Sequence, residues 1–100
     1  MIITRTTKNN VVTLAIEGNM DTIHSVQLSD ELEKIFSEGA FNIQLDLTGL
    51  NFISSSGLRV LLAAHKKANS MGTKLELFGV SETVKDVLRI TGFSGLLTVR

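Results

Sequence analysis

The sequence predicts an α/β domain with a mixed sheet of four to five strands and helices packed mainly on one face. Short segments in which apolar and polar residues alternate are interspersed with longer segments whose apolar residues recur every three or four positions. Half of each predicted strand is polar, whereas strands covered by helices on both faces are usually apolar throughout. We therefore expect one buried face of the sheet and one partly hydrated face.

Three segments have the two-residue period of a β-strand, and a further strand is predicted as the hairpin partner of one of them. The most regular is 41–47, where apolar residues occupy every odd position and polar residues every even position. Residues 11–17 alternate in the same way, and 2–5 precede them across the turn-forming segment 8–10, which predicts an opening hairpin. A shorter alternation at 74–77 predicts the fourth strand.

Three segments have the period of an amphipathic helix. They cover residues 22–37, a stretch from the serines at 54–56 to about residue 70, and residues 81–91. Strands and helices alternate after the hairpin, and this order favours parallel strands joined by right-handed crossovers. Serine and aspartate are ordinary N-caps, so we expect Asp21 to cap the first helix and one of the three serines to cap the second.

Composition argues against several classes of function. The 100 residues are expected to form one domain, and their ten basic and ten acidic side chains cancel, which argues against direct binding of nucleic acid. Cysteine is absent, which excludes disulfides and thiolate metal sites. No apolar run approaches the roughly 20 residues of a membrane span, and no signal-like segment opens the sequence, so we expect a cytoplasmic protein without membrane insertion.

The pattern favours neither catalysis nor metal binding. The two histidines, His24 and His65, are isolated and form no recognisable set of metal ligands. The serine cluster lacks the Gly-x-Ser-x-Gly elbow of hydrolases, and no glycine-rich phosphate loop is present. We expect a protein that is not an enzyme and needs no metal or cofactor, with serine hydrolysis as the enzymatic alternative.

Polar residues follow the predicted strands at the edge where sites form in open sheets. Local pattern alone favours structural roles for two of them: Asp21 would cap a helix, and Asp46 would bind backbone N–H groups of the turn at 48–49. The serines at 54–56 exceed what capping requires, because one side chain is enough to cap a helix. Local pattern alone nevertheless favours capping over a functional role for these serines.

Residues 45–62 resemble the STAS domain in its single-domain anti-sigma factor antagonist form. The likeness rests on the order of a strand, a turn, three serines, Gly57 and a long apolar helix. It extends over nearly the whole chain, including the segments at 18–21, 74–77 and 90–93. Members of the family usually carry Asp-Ser-Ser/Thr-Gly-Leu or Ser-Ser-Ala-Gly-Leu at the start of this helix, and Ser54 here replaces the frequent aspartate.

The resemblance implies partner switching. The unmodified domain would bind an anti-sigma factor, often a serine kinase of the histidine-kinase-like ATPase type, and phosphorylation would release it. By position the phosphorylated residue is Ser55, and a serine phosphatase would restore it. Asp21 and Asp46 match acidic positions that flank this site in the family. The expected partner-binding surface is completed by Thr48, Ser54, Ser56 and Gly57, and the protein is expected to be a monomer or weak dimer.

A second use of the STAS domain is also compatible with the sequence. The same face would dock without phosphorylation, as in accessory subunits of lipid-transport ATPases or in scaffolds of signalling assemblies. In that role the three serines would serve only as helix caps.

Overall fold

A computed structural model describes all 100 residues, Met1–Arg100. Strands and helices alternate along the chain after an opening hairpin, as the sequence predicts, except that two strands follow one another between the first and second helices. The elements are β1 (Ile2–Lys8), β2 (Val11–Met20), α1 (Thr22–Glu38), β3 (Asn42–Asp46), β4 (Leu50–Ile53), α2 (Ser55–Ser70), β5 (Leu75–Phe78), α3 (Glu82–Ile90) and β6 (Thr98–Val99). A single 3-10 turn at Phe93–Gly95 connects α3 to β6.

The sheet has the order β1-β2-β3-β5-β6, with β1 antiparallel to β2 and the other pairs parallel. This mixed α/β architecture confirms the predicted fold class. The structure adds two short strands, β4 and β6, to those that the pattern shows. In β4 the buried residues Leu50 and Ile53 enclose two exposed ones, so this strand lacks the two-residue alternation that marks the others. β6 has two residues, too few for any pattern.

Burial alternates across the sheet as the sequence predicts. Leu14, Leu45 and Leu77 lie in register on neighbouring strands and are fully buried beneath the helices. On the opposite face Gln44 and Glu76 are paired in register and remain half-buried. One apolar face covered by helices therefore provides the core, and the other face stays partly hydrated. No helix is long and apolar enough to cross a membrane.

All three helices begin at one edge of the sheet. β2, β4 and β5 run parallel, so their carboxyl ends meet at that edge, and each leads into a helix. The three N-caps Asp21, Ser54 and Ser81 each accept a hydrogen bond from the backbone N–H three residues on. These donors lie at 2.8, 3.1 and 3.2 Å and belong to His24, Gly57 and Val84, respectively.

Gly57 allows α2 to lie close to the strands beneath it. The residue is buried, and a Cβ atom at this position would stand 2.8 Å from both Ile53 Cγ1 and Met20 Sδ. Ile53 and Met20 are themselves buried core residues. The absence of a side chain at Gly57 therefore determines how closely the first turn of α2 packs against β2 and β4.

We expect Gly57→Ala to lower the free energy of unfolding by about 1–2 kcal/mol. Overpacking costs about 1–3 kcal/mol, and the better helix propensity of alanine offsets up to about 1 kcal/mol of it. Gly95→Ala is the matched control, because a Cβ atom there meets nothing within 4 Å. Urea unfolding measures both changes. Equal stability of the two variants would contradict the close packing described here.

The cap at Asp21 predicts a pH-dependent contribution to stability. The hydrogen bond from the His24 backbone N–H lowers the pKa of Asp21 below its ordinary 3.8. As the pH falls, the Asp21 carboxylate is therefore protonated in the unfolded chain before it is protonated in the folded protein. The stabilisation that the charged cap provides is complete well above pH 3.8 and is lost below it. We expect Asp21→Ala to be less stable than the unaltered protein at pH 7, with a difference that shrinks between pH 5 and pH 3.

Urea unfolding as a function of pH tests this expectation. Asp21→Ser is the control, because its hydroxyl can accept the capping bond but does not titrate in this range. The difference between the serine and alanine variants should stay constant with pH. A constant difference between Asp21→Ala and the unaltered protein would show that the carboxylate charge contributes nothing.

Candidate functional site

The three consecutive serines occupy three different environments at the start of α2. Ser54 is the N-cap, with an extended backbone and a side chain that accepts from the Gly57 N–H. Its own N–H donates to the Met20 carbonyl at 2.8 Å, which attaches the end of β4 to the end of β2. The backbone N–H and the side-chain oxygen of Ser54 thus both hold the helix start in place. This is the capping role expected of one of the three serines.

Ser55 is the first residue of α2 and is exposed to solvent. Its hydroxyl makes no hydrogen bond within the protein, and the N–H groups of Ser55 and Ser56 have no acceptor there. A helix N-terminus carries partial positive charge, and unpaired N–H groups are ready donors to an anion. A negative group attached to Ser55 would meet favourable electrostatics and would displace no bond that the fold needs.

Ser56 is half-buried and lines a groove between the first halves of α1 and α2. The groove has a volume of about 280 Å³, and Thr22 and Val26 line it from α1. Arg59, one turn beyond the serines, is its only charged residue. The groove continues along the two helices into a section of about 330 Å³, where Leu32, Phe36, Val60 and Ala63 lie beside the charged residues Glu33 and Lys67.

Asp21 lies beside the serines because β2 and β4 are paired at their ends. Met20 is opposite Ile53, so the residues that follow them, Asp21 and Ser54, begin adjacent helices. The Asp21 carboxylate accepts from the His24 N–H, and the His24 ring Nδ1 lies 2.8 Å from the same oxygen. With its pKa lowered mainly by that backbone hydrogen bond, Asp21 carries a negative charge near the serines at neutral pH.

Asp46 and Thr48 form a separate cluster. Asp46 is paired with Ala15, five residues before Met20 on β2, which corresponds to a separation of roughly 16 Å from the end of β4. Its carboxylate accepts from the Thr48 N–H at 3.0 Å and from the Thr48 hydroxyl at 2.6 Å. This is the local turn bonding that the sequence pattern favours for Asp46.

The turn at Asp46–Thr48 also packs against β5. Gly79 has a positive φ of 69°, and a Cβ atom there would collide with the Thr48 hydroxyl and approach Asp46 Oδ1 to 3.2 Å. The chain therefore passes close to this turn only because residue 79 is glycine. Asp46 and Thr48 fix the turn that leads into β4, and so they position Ser54 indirectly. Their place in a partner-binding surface stays a prediction.

Sequence reasoning missed three exposed apolar side chains on α1 and β4, the two elements that begin and end at the edge of the sheet where the serines lie. Ile23 and Val26, on the first two turns of α1, are 80% and 59% exposed, and Phe52 of β4 is 49% exposed. On α1 the pair lies opposite the buried face that contains Leu28 and Leu32. The sequence contained one indication of this surface, namely two apolar residues three positions apart on the otherwise polar side of an amphipathic helix. We call Ile23, Val26, Phe52 and Ser55 the docking face.

Neither histidine hydrogen-bonds to a serine of the cluster. No group of three His, Cys, Asp or Glu side chains is close enough to hold a metal ion. His65 follows Ser55 by ten residues on α2, or roughly 15 Å, and its Nε2 lies 3.3 Å from the Asn69 side chain. The structure brings together an exposed hydroxyl, free N–H groups and a carboxylate at the start of α2, and it leaves apolar side chains exposed on α1 and β4.

Comparison with known proteins gives named sequence relatives. BtrV of Bordetella bronchiseptica, named as a candidate anti-sigma factor antagonist, is 32% identical over 84 residues, covering 84% of this chain and 72% of the relative. The anti-sigma-B factor antagonist of Listeria monocytogenes is 25% identical over 89 residues, covering 89% of this chain and 78% of that protein. The likeness therefore includes most of both molecules.

Solved structures and a family model agree with these relatives. The anti-sigma factor antagonist SpoIIAA in its unphosphorylated form matches 99% of this chain and 88% of its own, with 19% identity and a TM-score of 0.85. The phosphorylated form of SpoIIAA from Bacillus matches 99% of this chain and 91% of its own, with 18% identity and a TM-score of 0.78. At these identities the matches establish the fold. The STAS domain family model matches residues 3–100, and the chain therefore belongs to the STAS domain family.

Proposed function

We propose that this protein is an anti-sigma factor antagonist that works by phosphorylation-controlled partner switching. The observation that carries the proposal is the exposed hydroxyl of Ser55 at the first position of α2, beside two N–H groups without acceptors. The unmodified docking face would bind an anti-sigma factor that is also a serine kinase of the histidine-kinase-like ATPase type. A phosphoryl group on Ser55 would release this partner.

The sequence relatives support the regulatory part of the proposal. BtrV and the Listeria protein are named as antagonists of anti-sigma factors, and each match covers more than four fifths of this chain. SpoIIAA, which shares the fold, has been solved with and without a phosphoryl group. A chain with this fold and an accessible serine at a helix start is suited to the same kind of regulation.

The proposed modification is a simple phosphoryl transfer. The Ser55 oxygen attacks the γ-phosphorus of ATP held by the kinase, the bond from that phosphorus to the β,γ-bridging oxygen breaks, and ADP leaves. The hydroxyl proton passes to a base on the kinase, because no histidine or carboxylate of this chain hydrogen-bonds to Ser55. A serine phosphatase would return the hydroxyl by hydrolysis. This chain supplies the substrate oxygen and contributes no catalytic residue.

The added charge would affect binding more than folding. A phosphoryl group brings about −1.5 to −2 charges, which the positive end of a 16-residue helix accommodates. A partner that covers Ile23, Val26 and Phe52 removes water from the same place, and an unpaired charge there becomes costly. A penalty of roughly 3 kcal/mol weakens a complex about a hundredfold, which is enough to exchange partners.

Residues next to Ser55 would complete the partner-binding surface. Ser56, Gly57 and Asp21 would either contact the partner or determine the shape of the surface that the partner binds. Asp46 and Thr48 would contribute by fixing the turn before β4. The protein would act in the cytoplasm as a monomer or weak dimer, without binding nucleic acid directly.

Substitution of Ser55 tests the switch. Both Ser55→Ala and Ser55→Asp should fold with nearly unaltered stability, because the side chain is exposed and unbonded. In pull-downs with the cognate kinase and ATP, Ser55→Ala should stay bound and Ser55→Asp should bind poorly. Mass spectrometry of the unaltered protein should then show one phosphoryl group on Ser55.

Ser54→Ala is the matched control for the serine cluster. Loss of the cap should lower the free energy of unfolding by about 1 kcal/mol and leave modification of Ser55 intact. Equal affinity of the alanine and aspartate variants of Ser55 for the kinase would overturn the proposed switch. Protein from its native cells that never gains a phosphoryl mass would instead support docking without phosphorylation.

The docking face makes a second prediction. Ile23→Ser should weaken binding of the kinase by about tenfold or more, because burying an isoleucine side chain contributes about 1.5–3 kcal/mol and serine removes that burial. Ile90→Ser is the control, since Ile90 is equally exposed at 80% but lies at the far end of α3. Calorimetric titration of both variants measures the effect. If Ile90→Ser weakened binding as much as Ile23→Ser, the interface would lie elsewhere.

A further inference from the structure

Arg59 is the only one of the four arginines in the chain without an ion pair. The other three each contact a carboxylate: Arg5 contacts Glu38, Arg89 contacts Asp86, and Arg100 contacts Glu76. The guanidinium of Arg59 makes no hydrogen bond to another side chain or to the backbone, and the residue is exposed on α2. Its five N–H donors are therefore available to an anion.

The position of Arg59 directs those donors toward the serines. It follows Ser55 by four residues and Ser56 by three on the same helix, and residues at these spacings are neighbours on a helix surface. Helical side chains lean toward the N-terminus, so a long side chain at 59 covers the turn that holds the serines. Consistent with this direction, Arg59 and Ser56 line the same section of the groove, and no acidic residue lines that section. Arg59 also borders the adjoining section, where Glu33 is the acidic lining residue, but the two side chains form no ion pair.

We infer that Arg59 is the intramolecular counter-ion of a phosphoryl group on Ser55. The inference rests on the proposed function, since it concerns the modified form of the same serine. Guanidinium groups bind phosphate oxygens through paired, charge-assisted hydrogen bonds. Together with the free N–H groups of Ser55 and Ser56, Arg59 would surround the phosphoryl oxygens with donors from one helical turn.

The carboxylate of Asp21 would oppose a phosphoryl group on Ser55, and a cation on the other side would offset this repulsion. Asp21 is ionised at neutral pH and begins the helix adjacent to α2, so it would repel a phosphoryl dianion on Ser55. The lysines of α2 are too distant to compensate: Lys66 lies eleven residues beyond Ser55, or roughly 16 Å along the helix. Arg59 is the cation on α2 within one turn of the modified residue.

Phosphorus NMR of the phosphorylated protein tests the inference. Phosphoserine is incorporated at position 55 during translation, so no kinase is needed, and its second pKa is measured at low ionic strength. Arg59→Gln should raise this pKa by about 0.3–0.5 units, because removal of a cation one turn away makes the dianion less favourable. Lys66→Gln is the matched control, since it removes the same charge from the same helix and should change the pKa by less than about 0.1 unit.

Two outcomes would overturn the assignment of Arg59. The first is an identical phosphoserine pKa in Arg59→Gln and the unaltered protein. The second is an equal shift in Lys66→Gln, which would show a general effect of net charge. Either would leave the proposed switch at Ser55 standing, because kinase binding is measured separately. Conversely, a kinase that ignores Ser55 would overturn the switch and leave the measured effect of Arg59 unchanged.

Discussion

The position of Ser55 depends on one strand pairing, that of β4 with the end of β2. Met20 lies opposite Ile53, and the Ser54 N–H donates to the Met20 carbonyl, so α1 and α2 begin side by side. Gly57 then lets the first turn of α2 pack directly on these two buried side chains. A rigid core thus holds the helix start, and the side chain of Ser55 projects from it into solvent.

Three identical residues in sequence perform different structural tasks because a helix start is asymmetric. Ser54 uses both its backbone N–H and its side chain to hold the helix start, whereas the N–H and the hydroxyl of Ser55 make no hydrogen bond within the protein. The difference separates folding from regulation: the residue that stabilises the domain is adjacent to the residue proposed for modification. A charge added at Ser55 would change what the surface can bind while the strands and the core stay as they are.

The sequence was sufficient for the fold class, the helix starts and the cap at Asp21, because these depend on periodicity and local hydrogen bonding. It predicted a serine cap for α2 without distinguishing which of the three serines provides it. It did not reveal β4, whose buried and exposed residues do not alternate, although this strand positions the serines. The separation of Asp46 from Ser54 depends on strand register, which local pattern does not contain. The exposure of Ile23 and the unpaired state of Arg59 depend on what the rest of the chain leaves uncovered.

The central claim is that one phosphoryl group on Ser55 decides whether the docking face binds its partner. Calorimetric titration of the cognate ATPase-type kinase against the unmodified chain and against the chain with phosphoserine at 55 tests it most directly, at one ionic strength. The account predicts an affinity about a hundredfold lower for the phosphorylated chain, with unchanged unfolding behaviour. Equal affinities for the two forms would contradict it.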